Sequence, residues 1–288
     1  MTGSETQTYT IEAPGATLSY DLRPVANSSA PPLFLMASPM GAAGMASLAA
    51  RFTDRTVITY DPRGAERSKR TDGASQTTVE EHADDLHRVI SAVGGGPVDL
   101  FGSSGGAVNG LALVARHPEQ VRTYVAHEPP ALLLLPDHEA LATAVAIHET
   151  YQRSGVGPAM AKFIALASLN GPVPEGYADQ PVDPAQFGLP TQDDGSRDDP
   201  LVGQNMISCS HYQHDFDALR SASTRIVIGV GAESKDGIAG RAGAAVAERL
   251  GIQPVVFPSH HAGFLGGEYG TAGDPDGFAE TLHKVLAG

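Results

Sequence analysis

The sequence predicts an α/β fold, a mostly parallel central sheet with helices on both faces. Three observations predict it. Short apolar runs rich in β-branched residues recur along the 288-residue chain, helical patterns alternate with them, and a Gly- and Ser-rich turn joins one run directly to a helix. With 41% hydrophobic residues the chain can bury a substantial core, and its length suits one large domain better than two independent ones.

The first two runs, 8–12 and 17–22, flank Pro14-Gly15 and read as a hairpin. Runs at 33–37, 57–60, 98–101, 121–126, 226–230 and 255–257 follow, short and apolar as strands buried on both faces are. Helical patterns lie between them at 45–52, 79–93, 107–116 and 238–250, with a closing helix at 278–286. Within 79–93, Val79, Ala83, Leu86, Val89, Ile90 and Val93 share one stripe, which turns His82, Asp84, Asp85 and His87 toward solvent. The alternation breaks between Pro129 and about Ser223. Helical patterns at 137–151 and 158–169 precede a Pro-, Asp- and Gly-rich stretch over 171–199. So long an interval reads as an inserted helical cap over 131–223, leaving the core to 1–130 and 224–288.

Charge and composition exclude several function classes. A net charge of -14, from 33 acids against 19 bases, repels phosphate backbones and anionic lipid, so neither nucleic acid nor membrane is an expected partner. The opening residues lack the basic and apolar regions of a secretion signal, and no stretch reaches the roughly 18 apolar residues of a membrane span. A cytoplasmic location is expected. The single cysteine, Cys209, rules out an internal disulfide and any multi-cysteine metal site, and its neighbours form no thiol-nucleophile pattern. Residues Gly229-Val230-Gly231-Ala232-Glu233-Ser234 mimic a dinucleotide fingerprint but lack its third glycine and the acid at the end of the next strand. His211, His214 and Asp215 have the spacing of ligands on one helical turn, without a second ligand cluster. There is no GxxxxGK[ST] run, and neither cofactor nor metal is expected.

The chemistry concentrates at Gly102-Ser103-Ser104-Gly105-Gly106, a GxSxG turn between the run at 98–101 and the helix at 107–116. A tight strand-to-helix turn holds a serine hydroxyl out of the backbone at a helix N-terminus, which a serine nucleophile requires. Gly102 and Gly106 remove side chains where strand and helix pack closely, and Gly105 lets the backbone approach a substrate.

With this elbow, the segment Tyr60-Asp61-Pro62-Arg63-Gly64-Ala65-Glu66-Arg67-Ser68, the strand order and a late histidine, nearly the whole chain resembles the α/β-hydrolase fold family. Asp61, Pro62, Arg63 and Gly64 then shape a loop near the pocket. The resemblance implies a base after the last strand, in Pro258-Ser259-His260-His261-Ala262-Gly263-Phe264, where His261 fits the family's His-x-Gly-aromatic arrangement and His260 does not. Neutral His261 would take the Ser104 proton and return it to the leaving group. The carboxylate that orients the imidazole usually follows the strand here at 226–230, which makes Glu233 the first choice, shifted by one residue from the common pattern. Glu128, at the end of the preceding strand as in some relatives, is the alternative, and Asp236 the third. For the oxyanion hole, one donor is the N–H of Gly105 and the other comes from Ala37-Ser38-Pro39-Met40-Gly41. In the family register that donor is Pro39, which has no N–H, so the role passes to Met40.

These residues imply a cofactor-independent serine hydrolase, a carboxylesterase or lactonase working through an acyl-enzyme on a small or medium apolar ester or lactone. A cofactor-free haloperoxidase or perhydrolase with the same triad, and a non-catalytic ligand-binding member of the fold, are the alternatives. The sequence leaves the oligomeric state open.

Overall fold

The computed structural model describes residues 5–288, and among them nine strands form one sheet. They are β1 (Gln7–Ala13), β2 (Ala16–Arg23), β3 (Leu33–Ser38), β4 (Val57–Tyr60), β5 (Lys69–Arg70), β6 (Val98–Ser104), β7 (Val121–His127), β8 (Arg225–Gly231) and β9 (Val255–Phe257). The helices are α1 (Ala46–Ala49), α2 (Val79–Val93), α3 (Gly105–Arg116), α4 (His138–Ser154), α5 (Val156–Ala167), α6 (Met206–Ser210), α7 (Phe216–Ser221), α8 (Ile238–Leu250) and α9 (Pro275–Ala287). The order across the sheet is β1-β2-β4-β3-β6-β7-β8-β9, with β5 against β2. The predicted hairpin pairs antiparallel from Gln7↔Leu22 to Ala13↔Ala16, and β2 meets β4 antiparallel; β3, β4 and β6 to β9 run parallel. The predicted α/β class is therefore the one that forms.

Alternation along each strand explains the continuous apolar runs, because both faces are covered. Phe34, Met36 and Leu100 point to a cluster with Leu86 and Val89 of α2, Leu111 of α3 and Val246 of α8. Leu33, Leu35 and Phe101 point the other way, to Leu48 of α1 and Phe278 and Leu282 of α9. Each such side chain contributes about 1.5–3 kcal/mol by leaving water.

Helix α2 departs from its predicted wet face. Thr78 and Glu81 form a reciprocal capping box at its start, but His82 and Asp85 are buried, not solvated. His82, three residues after Val79 and four before Leu86, falls on the apolar stripe, and Asp85 flanks it, while Asp84 and His87 stay partly exposed. The Arg63 guanidinium grips the Asp85 carboxylate with two bonds of 2.9 and 2.6 Å, and His82 lies beneath Asn205 of the segment between β7 and β8. Breaking such a buried ion pair from one side costs about 3–5 kcal/mol.

The β7–β8 segment holds α4, α5, an irregular stretch and a π-helical turn at Leu201–Asn205 that runs into α6. The irregular stretch has only the short helical turns Tyr177–Asp179 and Pro184–Phe187, as its Pro- and Gly-rich composition implies. Ala144, Ile147 and Tyr151 of α4 pack with Ala159 and Leu166 of α5 and Val202, and reach Ala242 of α8.

After β3 the chain builds the sheet first toward β4 and then, from β6, in the opposite direction. Crevices form at the carboxyl ends of strands where the winding reverses. Here that point lies between β3 and β6, whose last residues, Ser38 and Ser104, are register partners.

Candidate active site

Ser104 has φ 57° and ψ −128°, a conformation that costs a non-glycine residue about 1–3 kcal/mol. The tight join between β6 and α3 imposes it. A methyl placed on Gly106 would come within 2.9 Å of the Ala37 Cα, and one on Gly102 within 2.8 Å of the Gly106 carbonyl. Gly105 opens α3, where the first N–H groups lack helical partners and the dipole is positive. Ser104 and Gly105 both face a cavity of about 150 Å³.

Glu128 and His261 line the same cavity. The His261 Nδ1 and Glu128 Oε2 are 2.6 Å apart, while Glu128 Oε1 accepts from the Gly231 N–H at 2.8 Å and the Ser234 hydroxyl at 2.7 Å. Glu128 is completely buried and sits at φ 47° just past β7, its own N–H bonded to Gly229. Burial alone raises its pKa, but the hydrogen bond and charge of His261, with His127 and Ser234 adding, outweigh it and bring the carboxyl down to about 2. A carboxylate at Nδ1 fixes the imidazole tautomer with Nε2 free to accept a proton. The rest of the wall is mostly hydrocarbon, with Leu132, Phe163, Leu166 and Leu201 from the β7–β8 segment.

The other candidates lie elsewhere. Glu233 is exposed, because its N–H bonds the Ser259 carbonyl and turns the side chain outward, and Asp236 is exposed beside Lys235. His260 faces the Ala272 carbonyl at 3.3 Å. The structure thus pairs Glu128, and neither Glu233 nor Asp236, with the histidine. Of the loop after β3, the cavity wall includes Ser38, whereas Met40 packs against the cluster around Met45 and Leu48. Asp61 braces that loop by accepting the Ala42 N–H at 2.8 Å, a structural role matching the expectation for its segment. Cys209 also lines the wall, but burial pushes its thiol up to about 12, with a weaker opposing pull from Ser208. Asp215 caps α7 through the Ala218 N–H. Among the described residues no three His, Cys, Asp or Glu side chains are grouped to hold a metal, and no helix is long and apolar enough to cross a membrane.

Sequence reasoning missed Asn205, which lines the cavity and donates to the Ser38 hydroxyl at 2.9 Å. No motif marks it, since its partner lies 167 residues away.

Comparison with known proteins agrees with this architecture. A family model described as the alpha/beta hydrolase fold matches residues 38–162. A Bacillus subtilis (strain 168) protein called uncharacterized hydrolase YraK is 30% identical over 96% of this chain and 95% of its own. A thermophilic esterase from Thermogutta terrifontis superposes with a TM-score of 0.67 at 19% identity, covering 98% of both chains. The enol-lactonase from Burkholderia xenovorans LB400 does so with a TM-score of 0.65 at 17% identity, covering 97% of this chain and 100% of its own. The chain belongs to the α/β-hydrolase fold family.

Proposed function

We propose that the protein is a serine hydrolase that cleaves an ester-like bond, a carboxylic ester or a lactone, through Ser104, His261 and Glu128. The observation that carries this reading is the buried Glu128–His261 pair, 2.6 Å apart, in the cavity that Ser104 and Gly105 also line. The Ser104 oxygen attacks the carbonyl carbon as His261 Nε2 takes its proton. The carbonyl π pair moves onto oxygen, facing the Gly105 N–H. Collapse of the tetrahedral adduct breaks the bond to the leaving alcohol, which receives the proton from His261, and leaves Ser104 acylated. Water then repeats the sequence and releases the acid. Glu128 holds the tautomer and balances the imidazolium without itself taking the proton.

The cavity volume and hydrocarbon wall favour a small, apolar acyl or lactone group. Labelling with a fluorophosphonate followed by mass spectrometry tests the nucleophile. An adduct on Ser104 that disappears in His261→Ala is expected; an unlabelled Ser104 in the intact protein overturns the reading. A panel of esters of graded acyl length and of simple lactones then defines the substrate class.

A further inference from the structure

We propose that the second oxyanion donor is the side-chain hydroxyl of Ser38, held in the donating sense by Asn205, an inference that rests on Ser104 being the nucleophile. Of Ala37 to Gly41, Ser38 is the residue on the cavity wall; Pro39 has no N–H to give. Ser38 is the register partner of Ser104, and its carbonyl lies 2.8 Å from where a Gly105 Cβ would stand. It therefore lies directly against Gly105, the residue that carries the first donor.

The hydrogen-bond sense follows from counting. A hydroxyl has one hydrogen and two lone pairs, and one Ser38 lone pair accepts from Asn205 Nδ2 at 2.9 Å. Among the described residues none takes the Ser38 hydrogen. The oxygen of a bound carbonyl, drawn toward Gly105, is the acceptor the site supplies.

The Asn205 amide is itself oriented from behind. His82 is 2% exposed and electrostatically coupled to the Asn205 side chain, and because its Nδ1 has no partner that coupling is assigned to Nε2. Burial first, then the nearby Arg63 charge, lowers the His82 pKa to about 4, while the bond to Asn205 and the charge of Glu81 oppose this. Neutral His82 then presents Nε2–H to the Asn205 oxygen and turns the amide nitrogen toward Ser38. All three donors, His82, Asn205 and Ser38, point the same way, and each bond polarises the next. His82 and Asn205 act as positioning residues and Ser38 as a catalytic one. Because Asn205 belongs to the β7–β8 segment, that segment completes the hole as well as walling the cavity.

The test uses an activated acetyl or butyryl ester together with the rate of fluorophosphonate labelling. Ser38→Ala should lower kcat and the labelling rate by about 10² while KM moves by less than about threefold, and Ser38→Thr, which keeps the hydroxyl, should recover most of the loss. Asn205→Asp is nearly isosteric but its carboxylate only accepts, so it captures the Ser38 hydrogen and should cost nearly as much. Added to Ser38→Ala it should cost less than about threefold more. A Ser38→Ala protein with kcat within about threefold of the parent, or losses from the two substitutions that multiply, overturns the proposal. If Ser38→Ala fails to fold, Asn205→Asp with normal kcat does the same. In both cases Ser104 still labels, whereas an unlabelled Ser104 in the parent removes the nucleophile and this proposal together.

Discussion

The floor and the roof of the cavity are built on different physical principles. On the floor, Ser104, Glu128 and His261 stand where strands end, each fixed by backbone strain or hydrogen bonds: the elbow at φ 57°, three bonds on one carboxylate, an imidazole against it. The roof, from Leu132, Phe163, Leu166 and Leu201, is held by hydrocarbon packing in a segment that also contains a long irregular stretch. Directional bonds tolerate almost no displacement, while packed hydrocarbon tolerates changes of volume. On the proposed function, the floor would fix the reaction and the roof would select the substrate.

Substitutions on the two surfaces should separate those roles. Ser104→Ala should reduce turnover of any cleaved ester by about 10⁵–10⁶ with an unchanged melting temperature, as loss of a triad nucleophile does. Next, Glu128→Gln should lower kcat by about 10⁴ through the wrong imidazole tautomer, while Glu233→Gln stays within about twofold. Equal effects from the two would erase the distinction between a buried partner of His261 and an exposed loop acid. On the roof, Phe163→Ala and Leu166→Ala should leave labelling of Ser104 intact and shift kcat/KM toward longer acyl groups by about 10- to 200-fold. A uniform loss across acyl lengths would mean that the roof does not select.

The smallest effect compares a buried histidine of each surface. His127, on the floor, has its pKa lowered by burial to about 3, with Glu128 opposing and His261 adding to the shift; His82, under the roof, is lowered to about 4. Both folded values lie below the ordinary 6.5, so the unfolded chain binds protons that the native protein refuses. The stability they contribute is complete above about pH 6.5 and is lost as pH falls through that value toward 4, with a slope approaching about 1.4 kcal/mol per pH unit for each. Urea titrations across this range should show one such increment removed by His82→Gln and another by His127→Gln. An unchanged slope in both would show that neither is kept neutral by folding.

The layered sheet was readable because a strand covered on both faces leaves an apolar run whatever its loops do, and the elbow because its glycines answer to local clashes. The family's His-x-Gly-aromatic arrangement singled out His261 over His260, and it is His261 that meets a buried carboxylate in the cavity. Choosing between Glu128 and Glu233 was not legible, because it depends on the turn after β8, where the Glu233 N–H finds the Ser259 carbonyl and Ser234 turns inward to the carboxylate. His82 misled for a different reason. Three residues after Val79 and four before Leu86, it falls on the apolar stripe itself, so its polarity rather than its helical position suggested solvent, while the opposite positions Glu80, Asp84, His87 and Ser91 stay at least partly exposed. The short helices α6 and α7 carry too few turns for periodicity to declare them.

Glu128 is also the residue at which the chain departs from the sheet, and its carboxylate and N–H are fastened to Gly229, Gly231 and Ser234, where the chain has returned. Both stumps of the excursion are thus clamped to each other beneath it. A foreign loop transplanted between them would inherit a finished acid–imidazole pair, so variant libraries confined to that window can explore molecular shape without rebuilding the charge beneath.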